Sequence, residues 1–449
     1  MVRRVSIVVS VLITVACLPS FAQQSLNSAD ETLTLADAVR IAQENNRTVR
    51  NALIASSIAE DKIAEARTYR LPSLDFYAYG SQLLTPVDFT FKAGTFGTFP
   101  GIGPVPANDT NIHTPLRPTF YGVQRLSQPL SQQYKIGLNI KLANVNKLYN
   151  DQKLRLQKQD IANKVKHAYY AIVRTQSSLE LNNSMIELDR EMDRVLQDQL
   201  TQQVALKADS MDIKARLASD QYNILSLRNS LESQKEQLNE LLGRDLQTPF
   251  SVSSVSEIPS VEVTLRQARE RALASRSELR QGRLGIQQAE LNWQIKKSEY
   301  IPDVSFVATD MSTVNVNLLP SNIASVGVLL TWTPLDWGRR KHELAEDAKA
   351  IAQSKNSLSE AQDQILVDVG DKFRKLEQSQ ALIAAALLSL EAGKERLRVM
   401  MNQFEQKAVL FKDVAQQKAA VQNSVDQYQQ ALLVFWTAKA DFEAALGED

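Results

Sequence analysis

The chain has 449 residues, with 51 Lys and Arg against 51 Asp and Glu, a single Cys, and only 15 Gly and 14 Pro. A formal net charge of zero offers no electrostatic footprint for nucleic acid, and one Cys excludes both a disulfide framework and a zinc site built from cysteines. Sparse Gly and Pro favour long uninterrupted elements, so long helices are expected.

The N-terminal segment has the pattern of an export signal. Two arginines precede an apolar run over residues 5–18, and Ser20 and Ala22 supply the small side chains that a cleavage site needs. We predict a signal peptide over residues 1–22. The single cysteine, Cys17, lies inside it, so the exported chain is expected to carry no thiol. No later stretch reaches the ~18 consecutive apolar residues of a membrane-spanning helix, so any membrane passage is expected to use β-strands.

The rest of the chain carries the same pattern twice. A Leu-x-x-Ala opening at Leu35 recurs at Leu265, and a helix-stopping proline at Pro72 recurs at Pro302, at the same offset along the chain. The first copy also carries an insertion, rich in Gly, Pro and Thr over 94–118, that we expect to form an exposed loop. The predicted units are a first repeat over 32–245, a linker over 246–261 and a second repeat over 262–449.

Each copy is predicted to run from helices through strands to long helices. Apolar residues recur at helical spacing before each proline, alternate with polar residues after it, and then enter a long proline-free helical tract. The first copy has predicted helices over 34–70, strands over 73–91 and 118–129, and long helices over 133–203 and 210–243. The second copy has predicted helices over 264–300, strands over 303–318 and 323–334, and long helices over 338–403 and 410–446.

The long tracts have the spacing of coiled coils. A tract of roughly 70 helical residues is about 105 Å long, so it needs similar helices as partners. Apolar residues recur every seven positions, which is the spacing of a coiled-coil seam. One such series is formed by Leu217, Ile224, Leu231 and Leu238.

The titratable residues argue against an enzyme. General acid–base and metal sites usually use histidine, and the three histidines, His113, His167 and His342, show no ligand spacing. The sequence also has no Gly-rich phosphate-binding loop. We therefore expect no catalytic site, no cofactor and no metal.

In combination, these features resemble the TolC-like outer-membrane efflux proteins, a family of trimeric channel-tunnels. The paired openings and proline stops carry the resemblance, together with the strand exits at 128–130 and 333–338 and the Leu-Gly endings at 242–243 and 446–447. It covers essentially the whole exported chain. It implies a mainly α fold with a membrane β-barrel part, in which duplicated strand-pair and long-helix repeats form, as a trimer, a twelve-stranded outer-membrane β-barrel and a periplasmic α-helical barrel.

The function that the resemblance implies is a passive exit duct. An inner-membrane pump of the RND or ABC type and a periplasmic adaptor protein would deliver substrates to a homotrimer, which sits in outer-membrane lipid of a Gram-negative-type bacterium and extends into the periplasm. The linker would then lie in the equatorial region. Two alternatives stay open: a type I polypeptide secretion outlet, and a structural periplasmic coiled-coil protein without channel activity, which explains the heptads but not the alternating strand pairs.

The resemblance places a pore aperture and an adaptor-docking surface at the breaks between the long helices. The aperture candidates are Asp413, Gln416 and Asp212, with Asp212 as the counterpart of Asp413 in the first copy. A ring of carboxylates would favour cations, although an acid in the first turn of a helix also suits the helix dipole alone. The docking or gate-locking candidates are Lys207, Ala208, Lys407, Ala408 and Lys412. The membrane-girdle candidates are Phe76, Tyr77, Tyr79, Phe306 and Trp332, for which ordinary packing is the alternative.

Overall fold

The computed structural model describes residues 31–114, 116–203, 206–253, 263–316, 320–406 and 408–448. The predicted signal peptide therefore lies outside the described residues, as do residues 254–261 of the predicted linker. None of the described helices is long and apolar enough to cross a membrane.

The same order of elements occurs twice. The first copy comprises β1 Glu31–Leu33, α1 Leu35–Asn45, α2 Arg47–Thr68, β2 Ser73–Gln82, β3 Val87–Phe91, β4 Thr98–Phe99, β5 Gly103–Pro104, β6 Thr110–Thr114, β7 Pro118–Pro129, α3 Gln133–Thr201 and α4 Lys207–Leu242. The second comprises β8 Phe250–Val252, α5 Leu265–Ser275, α6 Ser277–Ser298, β9 Asp303–Val314, β10 Asn322–Thr331, α7 Arg339–Glu405 and α8 Phe411–Leu446. Each copy thus contributes two short helices, two long strands and two long helices.

Each of the segments predicted as helices over 34–70 and 264–300 contains one short and one longer helix. The first stretch is broken at Asn46, whose side-chain oxygen accepts hydrogen bonds from the backbone N–H groups of Thr48 and Val49 at 2.8 and 3.4 Å. This contact caps α2, so the chain starts a new helix there. The second stretch is broken at the equivalent position, Arg276.

The predicted insertion loop contains strands. β3 pairs with β6, and β4 pairs with β5 at the tip, so residues 87–114 form a hairpin separate from the main sheet. The strand predicted over 73–91 is accordingly two strands, β2 and β3. The strand predicted over 303–318 ends at Val314, because Asn315 adopts a left-handed backbone with φ of 62°.

The long strands form one antiparallel sheet in the order β10-β9-β7-β2, in which the β7–β9 pairing joins the two copies. Adjacent rows across this sheet differ sharply in polarity. One row is Leu74, Leu126, Ala308 and Val326, and the next is Asp75, Arg125, Thr309 and Ser325. Because side chains alternate between faces, the sheet has an apolar face, interrupted by polar residues such as Gln124, Asp310 and Ser312, and a polar face, which also carries the row Tyr77, Val123, Met311 and Ile323.

The helices keep the lateral order of the strands. Near the sheet, α3 packs against α2 and α6, and α6 packs against α7. Farther away, α3 packs against α4 and α8, and α8 packs against α7. The protein is thus a wall with β2, α2 and α4 along one edge and β10 and α7 along the other.

Two buried clusters hold the wall together. The larger one surrounds the middle of α3, where Tyr169 is fully buried and its hydroxyl lies 3.0 Å from the carbonyl oxygen of Leu33. The smaller one lies where α3, α7 and α8 approach their far ends, around Leu196, Phe404 and Val414. Apolar seams therefore continue down to the helix breaks.

The Leu-Gly endings have a geometric reason. Gly243 and Gly447 follow the last residues of α4 and α8 in left-handed conformations, with φ of 70° and 76°. A Cβ atom at Gly243 would stand 2.4 Å from the carbonyl oxygen of Asn45. Glycine is therefore required there both for the backbone angle and for the close approach of α1.

Candidate functional site

The two helix breaks at the far end of the wall have the same local structure. The backbone N–H of Leu206 donates to the carboxylate of Asp209 at 3.1 Å, and that of Leu410 donates to the carboxylate of Asp413 at 3.3 Å. Each acid lies in the first turn of the helix that follows the break. There a carboxylate accepts a hydrogen bond from an otherwise unpaired N–H and interacts favourably with the positive end of the helix dipole. Both breaks thus place one carboxylate at the tip.

This geometry corrects the pairing of the aperture candidates. The counterpart of Asp413 in the first copy is Asp209, and Asp212 corresponds to Gln416, one turn farther along the helix. Asp212 was paired with Asp413 because α4 was predicted to begin at residue 210, whereas it begins at Lys207. A shared Leu-x-x-Asp motif at the two breaks is the sequence signal for the correct pairing.

The aperture and docking candidates lie together at the tip. Asp212 and Gln416 are exposed, and Asp413 is half-buried. Exposed side chains at the same breaks are those of Lys207, Ala208, Ala408 and Lys412. Lys407 lies outside the described residues.

A buried charged cluster, which the sequence reasoning did not include, lies farther from the helix breaks than the aperture candidates. The ammonium of Lys418 in α8 contacts the carboxylate of Asp189 in α3, donates to the carbonyl oxygen of Met185 at 3.1 Å, and lies 3.7 Å from the carboxylate of Asp220 in α4. Burial and the neighbouring Asp220 raise the pKa of Asp189 to about 6. The cluster joins three helices through one lysine.

Further polar contacts join α8 to the long helices of the first copy, α3 and α4. Arg216 of α4 donates to the carbonyl oxygen of Ala415 at 3.1 Å, and Gln422 donates to Asn182 of α3 at 3.2 Å. The sequence does contain one signal for the Lys418 cluster. Lys418 is a charged residue in a coiled-coil seam, between the seam residues Val414 and Val421.

A second charged cluster lies higher, among α3, α7 and α8. Asp441 accepts hydrogen bonds from His167 and Lys372, both at 2.8 Å, and from Asn163 at 3.1 Å. Burial opposes ionisation of Asp441, but these hydrogen bonds hold its pKa well below the usual range. Among the described residues, no group of three or more His, Cys, Asp or Glu side chains has a metal-binding arrangement.

The sheet separates the membrane-girdle candidates. Phe76 and Phe306 lie on the apolar face, whereas Tyr77 and Tyr79 lie on the polar face. Trp332 follows the last residue of β10 and is exposed. Other exposed aromatic residues, which the girdle prediction omitted, flank the sheet where it meets the helices. They are Tyr69, Tyr134, Tyr300 and Trp337.

Solved structures share this fold over nearly the whole chain. The outer-membrane channel OprN matches with a TM-score of 0.74 at 14% identity, covering 92% of this chain and 90% of OprN. CusC, which forms a transmembrane channel, matches with a TM-score of 0.75 at 14% identity over 92% of each chain.

The outer membrane protein VceC of Vibrio cholerae matches with a TM-score of 0.71 at 14% identity, covering 92% of this chain and 96% of VceC. No protein-family model matches the chain, and no curated protein matches its sequence. The mainly helical chain fold that the sequence resemblance implied is thus one that this chain shares with outer-membrane channels.

Proposed function

We propose that this protein is the outer-membrane exit duct of a tripartite efflux system in a Gram-negative-type bacterium and that it conducts substrates passively. The observation that carries the proposal is the pair of free edges, β2 with α2 and α4 on one side and β10 with α7 on the other. In lipid, an unpaired strand edge leaves backbone groups without partners at a cost of several kcal/mol each, so the edges must meet.

The two edges suit each other. Exposed apolar residues run along both, such as Leu53 of α2 and Tyr222 of α4 on one side and Val367 and Leu388 of α7 on the other. Because the edges differ, joining them is a head-to-tail contact that closes a ring of identical chains. Two copies would give a barrel of about 8 strands, which side chains fill, so a homotrimer with twelve strands is the smallest ring that leaves a lumen.

The two sheet faces, the long helices and the carboxylates at the helix breaks all fit this proposed ring. The apolar sheet face contacts outer-membrane lipid, the polar face lines the lumen, and the helices extend into the periplasm. A purely structural coiled-coil protein would leave the apolar sheet face without a role. Asp413, Asp209 and their neighbours Gln416 and Asp212 then surround the axis at the periplasmic tip, where a ring of carboxylates favours cations.

The exposed tip is the docking surface for a periplasmic adaptor protein, through Lys207, Ala208, Ala408 and Lys412. Lys407 belongs to the same docking prediction from its place in the sequence. An inner-membrane pump of the RND or ABC type would supply the energy, and the pump would select the cargo, small molecules or polypeptides.

Single-channel recording in planar bilayers tests the proposal. We expect discrete cation-selective openings from the wild-type trimer and weaker cation selectivity from Asp413→Ala. Glu44→Ala, which removes an exposed carboxylate at the end of α1, is the matched control and keeps wild-type selectivity. The proposed duct function is contradicted if a folded trimer inserts into the bilayer and shows no conductance, even after proteolysis has opened its tip.

A further inference from the structure

An apolar cleft lies where the helices meet the sheet. It has a volume of about 730 Å³ and is lined mainly by Tyr134 at the start of α3, Trp293 and Lys297 near the end of α6, and Tyr300 and Ile301 just before β9. Tyr134, Tyr300 and Ile301 are all substantially exposed. The cleft therefore opens to the surroundings at the level where the helices give way to strands.

The cleft lies on the side of the wall that continues the apolar sheet face. A different cleft at the same level is lined by the polar-face residues Ser73 and Ser127, by Gln132 at the cap of α3, and by Ile136 and Asn139 of α3. Gln132, Ile136 and Asn139 share one helix face, and Tyr134 projects from the opposite face of α3. Tyr134 and its cleft are therefore on the outer side of the proposed duct.

The cleft carries one cation that lacks a carboxylate partner among the described residues. The ammonium of Lys297 lies 5.0 Å from the ring centroid of Trp293. The nearby Glu299 is already shared by Lys135 and Lys296, each at 3.5 Å. A cation beside an aromatic wall at a membrane boundary favours an anionic group with an apolar body.

We propose that this cleft binds the phosphate group of a glycerophospholipid from the periplasmic leaflet. Lys297 pairs with the phosphate, Trp293, Tyr134 and Tyr300 contact the glycerol region, and the acyl chains follow the apolar sheet face. Tryptophan and tyrosine favour this depth of a bilayer, and basic side chains beside them recognise lipid headgroups. The inference rests on the proposed membrane orientation of the duct.

Native mass spectrometry of the purified trimer, titrated with phosphatidylglycerol, tests the site. We expect Lys297→Ala to bind the lipid roughly tenfold more weakly, because a charge-assisted contact is lost, and Lys297→Arg to restore binding. Lys375→Ala removes an exposed lysine far along α7 and is the matched control, with binding equal to that of the wild type. Because Lys297 is exposed, its replacement leaves the core intact.

Two further probes identify what is recognised. Diacylglycerol, which has no phosphate, should bind weakly and show no difference between wild type and Lys297→Ala. Inorganic phosphate should compete poorly, and full displacement of the lipid by millimolar phosphate would mean a free-anion site. Equal lipid binding by all variants in a conducting trimer overturns the lipid site alone, whereas a protein that forms no trimer overturns the proposed function.

Discussion

Replacing Lys418 with Met tests whether the buried charged cluster stabilises the tip. The side chains of Lys418 and Asp189 are only 7% and 1% exposed, so the pair is in the buried regime, where removing one partner costs about 3–5 kcal/mol. An exposed pair would contribute at most about 1 kcal/mol. The Met side chain has a similar length and fills the space, so the change removes charge more than volume.

The lower end of that range is expected. Burial and Asp220 already raise the pKa of Asp189 to about 6 with Lys418 present, so without Lys418 this carboxylate can take up a proton near neutral pH at a modest cost. Asp220 is 28% exposed and stays partly hydrated. We therefore expect Lys418→Met to lower the local stability of the α3–α4–α8 contact by about 3 kcal/mol.

Hydrogen exchange of the α3 and α8 segments around the cluster measures this local stability. A loss of about 3 kcal/mol makes exchange through local opening roughly 150-fold faster. Lys412→Met, an exposed lysine in the first turn of α8, is the control and should stay within about 0.5 kcal/mol of the wild type. Adding Asp189→Asn to Lys418→Met should recover most of the loss. Exchange within about threefold of the wild type in Lys418→Met would refute the reasoning from burial.

Three further outcomes are expected. Gly243→Ala should lower the free energy of unfolding by about 2 kcal/mol or more in thermal or chemical denaturation, because of its positive φ and the close backbone contact, whereas Gly285→Ala, in a helix with open space, should be neutral or stabilising. Because the pKa of Asp441 is depressed in the fold, its carboxylate stabilises the protein above the unfolded pKa of about 4; Asp441→Asn should therefore lower the melting temperature at pH 7, and the difference from wild type should shrink as the pH falls below about 4. Leu388→Asp, on the exposed edge of α7, should shift the sedimenting species from trimer to monomer, and Lys375→Asp on the same helix should leave the trimer unchanged.

The long helices were predictable because two simple signals agree. Proline-free tracts and seven-residue apolar spacing predicted helices over 133–203 and 338–403, and the structure has them over Gln133–Thr201 and Arg339–Glu405. The exact position of the break between α1 and α2 was harder to predict, because Asn46 is compatible with a helix interior and becomes a cap only through its local backbone geometry.

The site was predictable only where the local sequence determines it. The position of Asp413 follows from its helix start, but its counterpart was misplaced, since the exact start of α4 depends on the capping contact of Asp209. The Lys418 cluster brings together residues from three helices. Heptad spacing identifies a seam but not the helix that faces it, so the acid partners of a seam lysine required the three-dimensional order of the helices.

The arrangement of the helices also shows that the two copies differ at the positions of the Lys418 cluster. The counterpart of Lys418 in the first copy is Lys214, which is exposed on α4 at the edge of the wall. The counterpart of Asp189 in α7 is Gly393, and a Cβ atom there would meet Ser424, the counterpart of Asp220, at 3.7 Å. The two copies therefore share the lysine and differ in the acids.

In the proposed closed ring, α4 of one copy would pack beside α7 of the next, as α8 packs beside α3 within one chain. Lys214 of the neighbouring copy would then approach Gly393, a position that has no side chain to pair with it, so the equivalent of the Lys418–Asp189 contact would be missing between chains. Gly393→Asp should create the missing contact and raise the temperature at which the trimer dissociates on a gel. Gly393→Asn, of equal size, and Gly393→Asp combined with Lys214→Met should both lack the gain. An equal rise with Asn and with Asp would show that helix propensity or packing, and not the ion pair across the seam, is responsible, because replacing glycine in a helix is itself stabilising.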